Sequence, residues 1–166
     1  MPTSALSSEQ DLQRQLWRQQ LRACRRALTD EQQKQAAIGL AGYLPDHPWL
    51  QHASYVALYV AADGELDPQL LAEVLHTRGK TLVLPLLHPF APQQLLFQRY
   101  LPHMALQSNR LGILQPALAM NDVVPLFQID VLLMPVVGFD LNGTRLGMGG
   151  GFYDRTLATL AAAERP

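Results

Sequence analysis

The chain has 166 residues with 14 acidic and 13 basic side chains, so its formal net charge is −1. This length suits one hydrophobic core, and the near-neutral charge excludes a global electrostatic attraction to nucleic acid. The single cysteine excludes an intrachain disulfide, and the longest apolar run, Val131–Phe139, is too short to span a bilayer. We therefore expect one cytoplasmic domain, residues 1–166, without nucleic-acid, membrane or obligate protein partners.

Two helices are predicted at the N-terminus. The first begins near Ser8, which forms a capping-box-like pair with Asp11, and the second begins at Thr29, which has Gln32 three residues later. One apolar stripe of the first helix is predicted to face the core and to bury Cys24; it consists of Trp17, Leu21, Cys24 and Leu28. A basic face lies beside the stripe, and a solvated surface is the ordinary role of such a face; it consists of Arg14, Arg18, Arg22, Arg25 and Arg26.

A strand, a helix and a second strand follow. The apolar run Ala53–Val60 is typical of a buried strand, and Asp63-Gly64 predicts a turn. Asp67-Pro68 has the pattern of a helix start, and Gly79 marks the end of that helix before the next apolar strand. This order predicts a βαβ unit with parallel strands and a right-handed crossover.

The second half of the chain supplies two more predicted strands. Gln94–Tyr100 is one, and Ile129–Phe139 is the clearest, whereas residues 101–125 show little periodicity and Ser108–Pro116 within them is predicted to be an ordered loop. A glycine-rich segment follows the last strand, and Phe152–Arg165 is predicted to be the final helix. Together these elements predict an α/β fold, a three-layer α/β/α arrangement with a mainly parallel central sheet.

The glycine-rich segment RLGMGGGFYD, Arg145–Asp154, is the strongest functional signal. It is not a P-loop, because Phe152 and Tyr153 stand where lysine and serine or threonine are required, and it lacks the last glycine of the dinucleotide fingerprint. Bare backbone N–H groups at the end of a strand are suited to binding an anion. A glycine-rich turn without a ligand is the alternative.

Two carboxylates are predicted near this segment. Glu65 follows the first strand and lies at the same sheet edge, where its two oxygens can accept hydrogen bonds from an N–H/NH₂ pair such as a pterin edge. An exposed loop glutamate is the alternative. Asp154 can either favour the helix N-terminus or bind Mg²⁺ as a hard oxygen ligand. The five histidines show no metal-ligand spacing.

These segments together resemble the 5-formyltetrahydrofolate cyclo-ligase family. RLGMGGGFYDRTL, preceded by DVLLMPVVGFDLNGT, is similar to its C-terminal signature, and ADGELD, RGKTLVLPLLHPF and CRRALTDEQ match further segments in the right order. The resemblance implies a fold of the sugar-phosphate isomerase and CoA-transferase type. It also implies Mg²⁺-assisted, ATP-dependent conversion of 5-formyltetrahydrofolate to 5,10-methenyltetrahydrofolate through a phosphorylated formyl group, an iminium phosphate.

The resemblance also implies site residues. The ATP-binding residues would be Arg14, Arg18, Arg145, Leu146, Gly147, Met148, Gly149, Gly150, Gly151, Phe152 and Tyr153. The folate-binding residues would be Val60, Glu65, Met148, Gly149, Gly150, Gly151 and Phe152. Arg145, Gly149 and Gly151 would act in catalysis, Asp154 would bind magnesium, and the other arginines of the basic face would stay at the surface. We further expect alanine at Gly149 or Gly151 to obstruct phosphate more than it costs stability.

Two departures from the family pattern leave other functions open. Many members carry a lysine where this chain has Gly150, and members usually continue beyond the position of Pro166 with a further strand and aspartate. One alternative is therefore a remnant that binds ATP or folate without turnover. The other is a sugar-phosphate isomerase, which the positions of the two lysines, Lys34 and Lys80, do not favour because neither lies in a ligand loop.

Overall fold

Three helices precede the first strand in the computed structural model, which describes residues 3–160 and the side chains from residue 9 onwards. The elements in this range are α1 (Thr3–Arg26), α2 (Asp30–Tyr43), α3 (Pro48–His52), β1 (Tyr55–Ala57), α4 (Gln69–Thr77), β2 (Thr81–Leu87), β3 (Leu95–Tyr100), β4 (Leu106–Ser108), β5 (Leu114–Pro116), β6 (Val123–Val124), β7 (Val131–Leu132), β8 (Gly138–Phe139), β9 (Arg145–Leu146) and α5 (Phe152–Leu157). Within this range no helix has both the length and the apolar character that crossing a membrane requires.

The central sheet is mixed and has five strands in the order β6-β3-β2-β1-β7. The predicted β1-α4-β2 unit is confirmed, since β1 pairs in parallel with β2 and also with β7. The prediction of a mainly parallel sheet is wrong, because β3 pairs antiparallel with both β2 and β6. The connection between β2 and β3 spans only residues 88–94, which is long enough for a hairpin but too short for a parallel crossover.

Both faces of the sheet are covered. Alternate residues of the central strands point to opposite faces, so Val56 and Leu58 join one buried cluster while Ala57 joins the other. The first cluster packs under α4, and partly buried Leu40 and Leu44 add to it from α2 and from the short 3₁₀ turn that follows it. Tyr153 of α5 packs against the second cluster. This core fixes the positions of the strand ends. The loops that carry the predicted site residues leave the sheet at these ends.

Helix α1 differs most from its prediction. It begins at Thr3 rather than at Ser8, and its apolar stripe does not enter the core, since Trp17 is 50% and Leu28 44% exposed. Cys24 is exposed, so its predicted burial is wrong. The stripe has the periodicity of a core-facing helix, but α1 lies beside the loops at the sheet edge. The capping box of α2, formed by Thr29 and Gln32, is confirmed.

The chain between the last sheet strand and the glycine-rich segment also differs from its prediction. Of the predicted strand 129–139, only β7 belongs to the sheet, and β8 instead forms a separate hairpin with β9. Ser108–Pro116, predicted to be an ordered loop, instead contains the turn and second strand of the β4-β5 hairpin, and β6 follows in the same region of little periodicity. Helix α5 ends at Leu157, and residues 161–165 of the predicted final helix lie outside the described range.

Candidate active site

One large cleft lies at the carboxyl ends of β1 and β2 and has a volume of about 1460 Å³. It contains every residue for which the sequence predicted a functional role, and we call it the central cleft. These lining residues are Arg14, Arg18, Val60, Glu65, Arg145, Leu146, Gly147, Met148, Gly149, Gly150, Gly151, Phe152, Tyr153 and Asp154. The fold therefore brings segments more than 100 residues apart in the chain to one surface, as expected at the ends of parallel strands.

The glycine loop, Gly147–Gly151, joins β9 to α5 at this surface. Gly149 has a φ of +98° and Gly151 a φ of +64°, and both values lie in the left-handed region that side chains disfavour. The expectation that alanine here costs little stability is therefore corrected, because backbone strain acts at both positions before any ligand is considered. An alanine Cβ at Gly151 would also meet the Arg155 guanidinium at 2.9 Å.

The two arginines predicted to bind ATP occupy different environments. Arg18 is half-buried and donates a hydrogen bond from Nε to the carbonyl oxygen of Gly147, over 2.8 Å. Arg14 is exposed and pairs with Asp11 on the same helix, over 3.2 Å. Arg18 thus already holds the first residue of the glycine loop, whereas Arg14 reaches into the central cleft as a solvated cation.

Arg145 and Asp154 form an ion pair with each other across the glycine loop. The sequence assigned these residues to phosphate and to magnesium respectively, without predicting that they touch. The described residues contain no group of three or more histidine, cysteine, aspartate or glutamate side chains placed to hold a metal. A single carboxylate still fits Mg²⁺, which commonly takes one or two protein carboxylates together with substrate phosphates and water.

Glu65 lies in the loop that leaves β1, residues 58–67, which we call the β1 exit loop. Its Oε2 accepts a hydrogen bond from the backbone N–H of Ala62 over 3.0 Å, and its Oε1 lies 3.6 Å from the Arg25 guanidinium. Only 10% of the side chain is exposed. Burial raises the pKa of Glu65, while the Ala62 bond and the charge of Arg25 oppose that rise.

Two phenols border Glu65. Tyr59 donates a hydrogen bond to the carbonyl oxygen of Leu66 over 2.7 Å, which closes the β1 exit loop. Burial, followed by the negative charges of Glu65 and Asp67, raises the pKa of Tyr59 to about 12. Burial and Glu65 likewise raise the pKa of Tyr153. Both hydroxyls therefore stay protonated at neutral pH and can only donate or accept as neutral groups.

The remaining arginines of α1 were expected at the surface, and two of them are not. Arg25 is 13% and Arg22 35% exposed, while Arg26 is 55% exposed as predicted. All three pair with Asp63 in the β1 exit loop. Sequence reasoning missed this cluster because helical spacing shows which arginines share a face but not which distant carboxylate meets them. Hydrogen bonds from the arginines, that of Arg22 foremost, lower the pKa of Asp63 to about 2.

This cluster makes stability depend on pH through Asp63. Because its folded pKa lies below the unfolded value of 3.8, its stabilisation is complete above 3.8 and is lost as the pH falls through about 2. We expect Asp63→Asn to lower the melting temperature at pH 7 by roughly 4–8 °C, the effect of losing about 2 kcal/mol in charge-assisted bonds. Asparagine tolerates the positive φ of Asp63, so the backbone should be retained.

Thermal melts between pH 2 and pH 7 check this prediction, with Asp46→Asn as the control. Asp46 pairs with Arg78 over 2.7 Å, but both side chains are well exposed, so its loss should hardly change the melting temperature. The difference between Asp63→Asn and the native protein should shrink as the pH approaches 2. A difference that stays constant over this range contradicts the assignment to the Asp63 charge.

Two walls of the central cleft were not predicted from the sequence. One is the β4-β5 hairpin, which contributes Asn109 and Leu111 from its turn and Gln115 from β5. The other is the apolar stripe of α1, whose Trp17 and Leu21 line the cleft instead of the core. A ligand-facing apolar stripe has the same period as a core-facing one, so only the tertiary position of α1 distinguishes them.

Comparisons with known proteins agree with one another. The family model described as "5-formyltetrahydrofolate cyclo-ligase family" matches residues 10–165. The chain is 50% identical over 137 residues to the 5-formyltetrahydrofolate cyclo-ligase of Escherichia coli (strain K12), covering 82% of this chain and 75% of that protein. It is 43% identical over 144 residues to the Haemophilus influenzae protein of the same name, covering 87% and 77%. The solved Aquifex aeolicus 5,10-methenyltetrahydrofolate synthetase superposes with a TM-score of 0.71 at 29% identity, covering 86% and 70%.

Proposed function

Because the chain belongs to the 5-formyltetrahydrofolate cyclo-ligase family, we propose that it closes the ring of 5-formyltetrahydrofolate to give 5,10-methenyltetrahydrofolate, consuming ATP with Mg²⁺ and releasing ADP and phosphate. One observation carries the proposal: the central cleft brings the Glu65 carboxylate, the Arg18 guanidinium and the glycine loop together. Its volume of about 1460 Å³ exceeds the roughly 300–1,000 Å³ typical of a site for one small molecule. A site of this size has room for two substrates at once.

The folate end of the cleft is assigned to the β1 exit loop. Glu65 is oriented there by the Ala62 N–H and the Arg25 guanidinium, so its carboxylate can accept a pair of hydrogen bonds from the amino-pterin edge. Val60 is half-buried and supplies apolar contact beside it. Met148 and Phe152 also line the cleft, together with the three consecutive glycines, and would face the formyl group.

The ATP end is assigned to the glycine loop and its basic neighbours. Arg14, Arg18 and Arg145 surround the loop and supply cations for the phosphates. Backbone N–H groups of a bare loop can approach phosphate oxygens closely, because no Cβ intervenes. Leu146 and Tyr153 border the same surface. On this assignment Arg145 exchanges its Asp154 partner for a phosphate oxygen when the nucleotide binds.

Asp154 is the residue that would hold Mg²⁺. The carboxylate is 70% exposed at the mouth of the cleft, where it can reach a metal that is also bound to phosphate oxygens. When Mg²⁺ is bound, it would neutralise phosphate charge. Arg145, released from its ion pair, neutralises charge at the same loop.

The chemistry requires activation of a poor leaving group. Transfer of the γ-phosphoryl group to the formyl oxygen breaks the bond to ADP and gives an iminium phosphate on the folate. The 10-nitrogen then attacks the formyl carbon and loses its proton, the carbon–oxygen bond breaks, and phosphate leaves. Arg145 and the N–H groups of Gly149 and Gly151 are proposed as the catalytic groups, since they can contact the transferring phosphoryl. Such catalysis depends on position and charge rather than on a covalent nucleophile.

The alternative functions find less support. An isomerase would need a lysine near its sugar, yet Lys80 donates its hydrogen bonds to the carbonyl oxygens of Gln51 and Ala53, and the residues that line the central cleft include no lysine. Only an activity assay distinguishes an active enzyme from a remnant that binds ATP or folate without turnover. The proposal includes a fold of the sugar-phosphate isomerase and CoA-transferase type, a cytoplasmic location and two small-molecule partners.

The activity itself is the first test. We expect methenyl-folate absorbance to appear when the protein is mixed with 5-formyltetrahydrofolate, ATP and Mg²⁺, with one ADP released per product. Omission of ATP should abolish product formation, and chelation of Mg²⁺ should reduce it severely. Equal turnover without ATP contradicts the proposal, and clear binding of ATP or folate with no turnover supports the remnant instead.

A further inference from the structure

Three arginines of α1 converge on one carboxylate of the β1 exit loop. Arg22 Nε lies 2.7 Å and Arg25 Nη2 2.9 Å from Asp63 Oδ2, and Arg26 pairs with Oδ1. Arg25 Nε also donates to the backbone carbonyl oxygen of Asp63 over 3.0 Å. The loop is therefore bound to the helix through both its side chain and its backbone.

The backbone itself comes close to α1 at the next residue. Gly64 has a φ of +74°, and a Cβ placed on it would lie 3.6 Å from the carbonyl oxygen of Arg25 and 3.7 Å from the Cα of Arg26. Asp63 also has a positive φ, of 54°. Two successive left-handed residues fold the loop onto the helix, so the following residue, Glu65, starts from a fixed position.

Arg25 alone among the three arginines also contacts Glu65. Its Nη1 lies 3.6 Å from Glu65 Oε1 and 3.5 Å from the carbonyl oxygen of Val136, in the segment that leads to β8. Arg25 thus links the β1 exit loop with the segment between β7 and β8. Arg26 binds Asp63 but is largely exposed, and neither an ion pair nor a hydrogen bond joins it to Glu65 among the described side chains.

We propose that Arg25 is a positioning residue of this enzyme: it pairs with the Glu65 carboxylate and holds it in place in the central cleft, while Asp63 holds Arg25. This inference rests on the proposed function, in which Glu65 binds the pterin. A carboxylate with 10% exposure needs such a partner, because an isolated buried charge is strongly disfavoured. The Ala62 N–H fixes one oxygen, and Arg25 lies beside the other.

The groups that face Glu65 have opposite effects on the ionisation of its carboxyl group. Arg25 and, more weakly, Arg22 favour its ionised form from α1, and the Ala62 N–H does so from the β1 exit loop. Burial and the negative charge of Asp63 favour the protonated form. The phenols of Tyr59 and Tyr153 face it as neutral groups. Removal of the Arg25 charge therefore raises the pKa of Glu65 and moves the acidic limb of folate-dependent activity to higher pH.

Three variants test the proposal in the full chain: Arg25→Gln, Arg25→Lys and, as the matched control, Arg26→Gln. Steady-state kinetics give KM for 5-formyltetrahydrofolate and for ATP, and kcat/KM for folate is followed against pH. We expect Arg25→Gln to raise the folate KM about 10- to 100-fold, the cost of a misplaced binding group, and to shift the acidic limb to higher pH. Arg26→Gln should keep the native folate KM and pH profile.

Other outcomes overturn the inference. If Arg25→Gln keeps the native pH profile, or if Arg26→Gln changes it equally, the arginines only anchor the loop. If Arg25→Gln does not fold, Arg25→Lys provides the test. Lysine keeps the positive charge but loses the forked contact of the guanidinium, so the folate KM should rise while the acidic limb of the pH profile stays in place. An unchanged folate KM in Arg25→Lys then overturns the proposal.

Failure of the proposed function is distinguished by a measurement that needs no turnover. Titration of the Glu65 carboxyl carbon by NMR, in the native protein and in Arg25→Gln, should show a higher pKa in the variant. If the native protein does not turn over yet this rise is observed, the proposed reaction fails and the Arg25–Glu65 coupling stands. If the native protein turns over and the two titrations coincide, the inference alone fails.

Discussion

Alanine in place of Gly151 is expected to lower the melting temperature of the protein and to weaken ATP binding in the same variant. Gly151 has a φ of +64° at the start of α5, where a residue with a Cβ costs about 1–2 kcal/mol. For a chain of this length that corresponds to roughly 2–8 °C in melting temperature. The new Cβ would also displace the Arg155 guanidinium, which lies 2.9–3.1 Å from its position.

The loss of ATP affinity follows from the same displacement. Arg155 donates to the carbonyl oxygen of Gly150 and, over 3.4 Å, to that of Gln93, so it fixes the glycine loop to the chain before β3. A shifted Arg155 releases the loop, and the phosphate-facing N–H groups then lose their arrangement. We expect the ATP dissociation constant to rise at least tenfold, which is about 1.4 kcal/mol.

Gly147→Ala is the matched control in the same loop. Gly147 has no positive φ, and a Cβ placed there meets nothing within 4 Å. Its melting temperature should equal that of the native protein, so any loss of ATP affinity would come from the nucleotide site itself. The measurements are thermal melts without ligand and calorimetric titration with ATP. A Gly151→Ala protein that melts like the native one contradicts the strain argument.

The sequence predicts the elements whose chemistry is local. The capping box at Thr29 and the turn at Asp63-Gly64 depend on residues a few positions apart, and the β1-α4-β2 unit depends on three consecutive elements; all are confirmed. The meeting of Glu65 with the glycine loop in one cleft is also confirmed. It follows from a general rule, since loops after parallel strands share one edge of the sheet.

The features that the sequence misses depend on tertiary position. The stripe of Trp17 and Leu21 has a helical period, but nothing local shows whether a cleft or a core lies opposite it. The antiparallel pairing of β3 could have been predicted, because the connection of residues 88–94 is too short for a crossover. The ion pair of Arg145 with Asp154 could not have been predicted, because the family signature implies a separate role for each of these residues.

Glutamine in place of Glu65 is expected to reduce folate affinity strongly without destabilising the protein. The substitution replaces one acceptor oxygen by an NH₂ group; the remaining oxygen can still accept from the Ala62 N–H, so the NH₂ group then faces the pterin donors. An unmade bond at a buried site costs about 1–3 kcal/mol, so the dissociation constant for 5-formyltetrahydrofolate should rise roughly 5- to 150-fold. The affinity for ATP should stay the same.

The stability of the same variant separates recognition from folding. Burial raises the folded pKa of Glu65 above 4.5, so its ionisation costs folding free energy that is absent below 4.5 and complete once the pH exceeds the folded pKa. Glutamine carries no charge and removes that cost, and Arg25 keeps its bonds to Asp63. The melting temperature at pH 7 should therefore be unchanged or higher, while folate binding falls.

Asp67→Asn provides the control, because Asp67 is an exposed carboxylate of the same loop that does not line the central cleft. Its Oδ1 accepts from the N–H of Gln69 over 2.9 Å, and asparagine caps a helix equally well. Calorimetry with 5-formyltetrahydrofolate should therefore give Asp67→Asn the native affinity and Glu65→Gln a much weaker one. Equal affinities in the two variants would show that Glu65 does not bind the pterin. Arg25 would then position a carboxylate that takes no part in substrate binding.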